Sequence, residues 1–354
     1  MMLNMLHHNK QVVGLDIGSS AIKMVELRPA RKGSYELVSL ATEGLSPDCI
    51  VDGVIISKLP VTDAISRIFR QHNVKNRRVA TSIAGSSVIV KTIALPIQSD
   101  QELAESIRWE AEQYIPFDIA DVNLDYQILG ERATAGTLDV LLVAVKKEKI
   151  TDHTSVITMA GKSPVAVDVD AFALQNAYEV NYAPTSGSTV ALLDIGASTM
   201  TISIVAGTEF LFTRDVGTGG RQFTDFIQRE FDLNYDQAQA LKHGEPVDGV
   251  DAADVRHVIE SVTEIICLEI QKTFDFFKST TTVERIDRML VSGGAAHTAG
   301  LIEALARKFE IPTERFDSFK KISFDAKKFS PALIASLSPS LAVAVGLALR
   351  SAEE

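Results

Sequence analysis

Two short stretches of this chain repeat one another: Leu15-Asp16-Ile17-Gly18-Ser19-Ser20 and Leu193-Asp194-Ile195-Gly196-Ala197-Ser198. Both run from aliphatic residues into an aspartate and then into a turn of small residues. The first reads as strand, tight turn and strand over Val12 to Leu27. The offset of 178 residues is about half of the 354-residue chain, so the repeat predicts two related halves. Length agrees, because a single hydrophobic core stops growing beyond roughly 250–300 residues.

A turn rich in Gly and Ser lets successive backbone N–H groups point into one concavity, an anion-binding nest suited to phosphate oxygens. The aspartate before each turn supplies a carboxylate able to hold Mg2+ through water. Lys23 adds a point charge that would offset phosphate. One such loop is equally a plain β-turn, since Asp, Gly and Ser favour turns in any case. Two matched copies, with a third Gly-Gly turn between strand and helix at Ser292 to Ala295, favour the phosphate cradle.

Around these loops the chain reads as mixed α/β. Strands are expected at Tyr35 to Glu43 and twice within Val79 to Leu95, with a helix at Val61 to His72. Ser99 and Glu102 form a capping box for a helix ending at Ile115, ahead of Pro116. Two strands, a helix and a further strand follow as far as Val169, in an order compact enough for an inserted subdomain. The linker-like run Ala183 to Ser188 marks the main boundary. In the second half a long helix over Val255 to Lys278 carries Val255, Val258, Ile259, Val262, Ile265, Ile266, Ile270 and Phe274 as one apolar stripe.

Composition excludes more than it identifies. A net charge of −11, from 35 basic and 46 acidic residues, works against nucleic acid or anionic lipid as a general partner. Cys49 and Cys267 are far apart and belong to no metal-ligand spacing, which suggests buried thiols in a reducing compartment. Met1 to Lys10 lacks a signal-peptide apolar run, and Leu341 to Leu349 is about half the ~20 residues a span needs. A cytoplasmic protein is expected, with any membrane attachment made through a partner. Gly161-Lys162-Ser163 resembles the end of a Walker loop, but Val156 stands where its first glycine belongs; Gln222 breaks a GxGxxG beginning at Gly217.

The motifs Gly14 to Ser20 with Lys23, Leu193 to Thr199, and Ser292-Gly293-Gly294-Ala295 resemble, in order, the phosphate-1, phosphate-2 and adenosine motifs of the actin/heat-shock chaperone/FtsA superfamily. Glu110-Ala111-Glu112-Gln113-Tyr114-Ile115-Pro116-Phe117, Leu124-Asp125-Tyr126 and Asp215 to Gly220 resemble the PilM family of type IV pilus assembly, over nearly the whole chain. The resemblance implies an α/β, actin-like (ribonuclease H-like) two-domain fold with an FtsA-type inserted α+β subdomain. Domain 1 would occupy 1–97, the insert 98–165, a return to domain 1 166–188, and domain 2 189–334. A C-terminal helix over 335–354 would pack back at the domain interface.

The resemblance also implies ATP and Mg2+ as cofactors. Asp16 and Asp194 would face Mg2+; Gly18, Ser19, Ser20 and Lys23 would meet the β- and γ-phosphates. Gly196, Ser198 and Thr199 would complete the cradle, with Gly219 and Gly220 near the ribose or α-phosphate and Gly293 and Gly294 supporting the adenosine. Gln239 and Lys242 fall where relatives carry an acid and a lysine for the adenine; Gln239 departs from that pattern. Asp170 either orients water at the γ-phosphate or is only a helix N-cap, so at most weak ATPase activity is expected.

The implied partner is the cytoplasmic tail of a PilN-like inner-membrane protein, in a groove between the first domain and the insert, with other pilus assembly components nearby. Tyr114, Ile115, Pro116 and Phe117 either line that groove or pack the insert's own core. The protein would then sit peripherally at the inner membrane. A small-molecule kinase and a filament former of the same superfamily are the alternatives, and association of copies of the chain stays open.

Overall fold

The computed structural model describes residues 11–350 apart from 52, 133–135 and 284. Met1–Lys10, with His7 and His8, and the centre of the turn expected over Gly130–Gly136 lie outside the described residues.

The chain opens with β1 (Val13–Ile17), β2 (Ala21–Pro29), β3 (Tyr35–Gly44), the short β4 (Ile50–Val51) and β5 (Val54–Ile55), α1 (Lys58–Gln71) and β6 (Arg78–Ile83). Next come β7 (Val88–Pro96), α2 (Asp100–Glu112), β8 (Val122–Arg132), β9 (Thr137–Lys146), α3 (Lys147–Met159), β10 (Ser163–Val169) and α4 (Asp170–Tyr182). The second half holds β11 (Thr189–Ile195), β12 (Met200–Ala206), β13 (Glu209–Val216), α5 (Arg221–Phe231), α6 (Tyr235–Lys242) and α7 (Ala252–Thr280). It continues with β14 (Arg288–Ser292), α8 (Leu301–Phe309), β15 (Thr313–Arg315), β16 (Ile322–Ser323), α9 (Pro331–Leu337) and α10 (Ala342–Ala348).

Two mixed sheets form the halves, in the orders β10-β6-β1-β2-β3-β16 and β13-β12-β11-β14-β15. Their central parts repeat in detail. Gly18 N–H donates to Ala21 O at 3.1 Å, and Gly196 N–H to Thr199 O at 2.9 Å. Asp16 lies opposite Lys23 across the first hairpin, and Asp194 opposite Thr201 across the second. On the parallel side, Thr81 Oγ1 donates to Leu15 O and Ser292 Oγ to Leu193 O. The sequence offset of the hairpins is thus also the offset of their hydrogen bonds.

The third sheet, β7-β9-β8, is the insert, and α2 covers one of its faces. Ser99 caps α2 as its sequence requires: Ser99 Oγ accepts from Glu102 N–H and Glu102 Oε2 from Ser99 N–H. The helix ends at Glu112, three residues short of the expected Ile115, because the residue before Pro116 is disfavoured in the α region. Hydrogen bonding also moves the insert's edges. β7, within 1–97, pairs with β9 of the small sheet, whereas β10, which straddles the expected boundary at 165/166, pairs with β6 of the first sheet. α3 goes with the first domain too, since Val156 and Ile157 join the core of α1, β1 and β2.

A core formed from β2, β3, α4, β11, β14 and α10 joins the two halves. β16, within 189–334, crosses back to pair with β3. By length and composition alone, Pro331–Ala348 would suffice to cross a membrane. It is instead broken into α9, a 3-10 turn and α10, and all of α10 is buried. In α7 the expected stripe loses Ile265, which is 39% exposed, because neighbours in a helix point about 100° apart and Ile266 takes the core position. Cys49 and Cys267 are both free and buried. Of the late lysines, Lys320 lies over the Tyr182 ring at 4.5 Å and Lys328 over Phe329 at 5.1 Å, so both pack locally.

Candidate functional site

The two hairpins face one cavity between the halves. Asp16, Gly18, Ser19, Ser20, Lys23, Asp170, Asp194, Gly196, Thr199, Gly220, Gln239, Lys242 and Gly294 all line it. Ser198, Gly219 and Gly293 do not. Ser198 faces a second cleft, with Asp215 and Ser86. Gly293, at φ +84°, would place a Cβ 2.3 Å from Ile195 O, and Gly219 would place one 2.6 Å from Ala197 O. These two glycines allow backbone to close on the second hairpin itself, so they act as its support.

Carboxylates dominate the electrostatics. Lys23 Nζ lies 2.8 Å from Asp16 Oδ2. Burial opposes the lysine charge, but Asp16, Asp194 and Asp170 together raise its pKa. Burial likewise pushes the Asp194 carboxyl up, against Lys23 and a 2.8 Å hydrogen bond from Ser292 Oγ. Asp170 goes furthest: burial, then the charge of Asp16, push it up to about 8. It is the first residue of α4, whose N-cap position is taken by Val169.

That shift has a stability consequence. A carboxyl with a folded pKa near 8 and an unfolded value of 3.8 takes up protons on folding across that window. Stability is full below the lower value and falls as pH rises through the upper one. Asp170→Asn should therefore raise the metal-free melting temperature relative to wild type by about 2 °C or more at pH 8, with little gain at pH 4. Thermal denaturation in chelator at both pH values tests this, and an equal difference at both would refute it.

At the opposite end Lys242 is buried and donates to Gly220 O at 2.9 Å; burial lowers its pKa to about 8. Gln239 is already engaged, accepting from Thr224 and Lys242 and donating to Tyr235 OH. His297 Nε2, also in this cavity, is buried with no hydrogen-bond partner among the described residues.

Several neighbours carry no sequence signal. Lys149 and His153 wall the cavity from α3; burial and then Lys149 push His153 down to about 4. Lys149 Nζ donates to Gly53 O. Hydrogen bonds also cross between the halves: Asp215, held within its own sheet by Thr201 Oγ1 at 2.6 Å, accepts from Gly85 N–H at 2.6 Å, while Arg221 reaches Ser19 O and Pro47 O. Asp215 stands in a motif noted in the sequence, but its partner is 130 positions away.

Beside the cavity lies a larger groove, about 910 against about 290 Å3. It runs between the insert and the first domain, bordered by the edge strands β8 and β10. Strand alternation decides its lining. Leu141, Val143 and Val145 of β9 face the groove, whereas Val140, Leu142 and Ala144 face α2. Tyr114, Ile115 and Phe117 pack on that second face, and none of the four residues from Tyr114 to Phe117 lines the groove. Their place at the end of α2 puts them on the covered side of the sheet. Asp170 and Phe172, two positions apart on α4, face the cavity and the groove respectively.

Two pseudo-symmetric α/β halves around a cleft, with Asp-containing hairpins facing each other, define the actin-like ATPase fold. The model for type IV pilus assembly protein PilM matches residues 14–352, and the chain belongs to that family. A solved PilM-PilN type IV pilus biogenesis complex is 26% identical, covering 97% of this chain and 99% of that one at a TM-score of 0.86. The fold is shared more distantly with the ethanolamine utilization protein EutJ from Carboxydothermus hydrogenoformans: 15% identity, 96% and 89% coverage, TM-score 0.57. It is also shared with MreB5 of Spiroplasma citri bound to AMPPNP: 13% identity, 96% and 95% coverage, TM-score 0.51.

Proposed function

We propose that this protein is an Mg-ATP-binding scaffold of the type IV pilus inner-membrane platform, which receives the cytoplasmic N-terminal tail of a PilN-like membrane protein. The observation that carries the reading is the adjacency of the hairpin cavity and the groove, with α3 and α4 as their common wall.

The cavity residues fit the nucleotide. Among the described residues no three His, Cys, Asp or Glu side chains converge tightly enough to hold an ion directly. Asp16 and Asp194 would accordingly hold Mg2+ through water, as magnesium tolerates readily in phosphate sites. Burial, and then neighbouring carboxylate charge, raises the pKa values of Asp170 and Asp194, and a divalent cation would favour their charged forms. Backbone N–H groups of both turns, with Ser19, Ser20, Thr199 and Lys23, would receive phosphate oxygens. Gly220, Gly294, Gln239, Lys242 and His297 would surround the nucleoside. When bound, the Mg2+ of Mg-ATP would supply counter-charge to carboxylates of both halves.

Asp170 would position water near the terminal phosphate, since positioning and electrostatics carry most of the rate in phosphoryl transfer. The groove suits an extended peptide, since its floor is apolar and its borders are strand edges.

Fluorescence anisotropy with a labelled tail peptide tests the reading. The peptide should bind wild type, and Val143→Glu, a charge on the groove floor, should weaken it by about tenfold or more. Phe117→Ala, on the far side of the sheet, should leave affinity unchanged. Tight binding to Val143→Glu would move the tail out of this groove.

A further inference from the structure

The groove's charge is one-sided. Among the described residues its charged lining consists of Asp125 on β8, Asp168 on β10, Glu179 on α4 and Glu209 on β13, against Arg350 alone. Arg350 Nε is 2.6 Å from Asp168 Oδ2, so the single guanidinium is already committed to the buried carboxylate. The other three face the groove from three different elements. Asp125 Oδ1 accepts from the backbone of Tyr126, and Glu179 Oε1 from the neutral amide of Gln175. Among the described residues none of these three has a cationic partner. Between them lies an apolar floor of Leu141, Val143 and Val145, with Phe172 and Phe210 meeting edge to face at 5.2 Å.

Like charges around a concave, low-dielectric wall focus the potential and raise the local concentration of the opposite charge. Segments flanking a membrane span on the cytoplasmic side are enriched in Lys and Arg. We propose that the groove recognises a short apolar segment through its floor and selects it by basic side chains paired with Asp125, Glu179 and Glu209. This rests on the reading that the groove holds the tail, and it names the chemistry by which that tail is chosen. The chain's overall acidity is not the cause, because the three carboxylates are set around one groove.

Two probes test it: the tail peptide of the PilN-like partner, and a copy with every Lys and Arg replaced by Gln. At low salt the native peptide should bind wild type about three- to tenfold more tightly than the neutral copy, and the gap should close at about 0.5 M salt. The variant Asp125→Asn/Glu179→Gln/Glu209→Gln should lose that preference while binding the neutral copy as wild type does; these are wall residues, so circular dichroism should stay native. Equal affinity of the two peptides across the salt range would overturn the inference and leave the tail groove standing. A preference retained by the triple variant would also overturn it, by placing charge recognition elsewhere. Failure of both peptides to bind would remove the groove reading and this inference with it.

Discussion

Asp194→Ala is expected to weaken Mg-ATP binding by about 10–100-fold, the usual cost of losing a group that holds a metal through its water shell. Calorimetric titration with Mg-ATP measures it. The loss should not come from unfolding. Burial raises the Asp194 pKa, so the carboxylate is costly where it stands. Ser292 Oγ, which donates to it, retains Leu193 O as an acceptor at 3.3 Å. The melting temperature of the metal-free variant should therefore equal or exceed that of wild type. Unchanged Mg-ATP affinity in a folded variant would remove the second hairpin from the site, and with it the functional meaning of the repeat.

Gly346→Ala is expected to cost about 3 kcal/mol or more, at the upper end of overpacking effects. A Cβ at Gly346 would lie 1.7 Å from Ala173 O and 2.4 Å from Ala173 C. Backbone atoms cannot rotate aside as a side chain can, so α10 would have to leave α4. Its other side is equally closed, because Gly14 of β1 lies against Ala344 O and Ala348 N. Urea unfolding of the variant should show the loss as a lower midpoint. Gly44→Ala, with nothing within 4 Å of its Cβ, serves as the comparison and should stay within about 0.5 kcal/mol of wild type. Equal midpoints for the two variants would refute the close packing of α10.

The second result bears on the first, since α10 belongs to the core that joins the halves. Loosening it should disturb the register of the hairpins across the cavity. Nucleotide affinity of Gly346→Ala, measured on the folded fraction, should accordingly fall even though Gly346 does not line the cavity.

What the sequence determined by itself is local. Small residues after Asp16 and after Asp194 select the same turn twice, and the matching bonds Gly18 to Ala21 and Gly196 to Thr199 follow from that turn chemistry. The capping box at Ser99 and most element spans arise in the same way, from neighbours along the chain. Tertiary structure decided what each element faces. Gly293 and Gly219 read as ligand-contacting glycines but meet the second hairpin's own backbone. Tyr114, Ile115 and Phe117 read as groove residues but pack on the covered face of the insert's sheet. β7 follows β6 closely along the chain yet pairs in a different sheet. Lys149, His153 and Asp215 reach the region between the halves only because α3, β13 and the loop at Gly85 pack there. Turn and strand preferences are set by interactions over a few residues, whereas a cavity wall is set by contacts between segments more than a hundred residues apart. The repeated hairpin was therefore legible in the sequence, and the full cavity and groove around it were not.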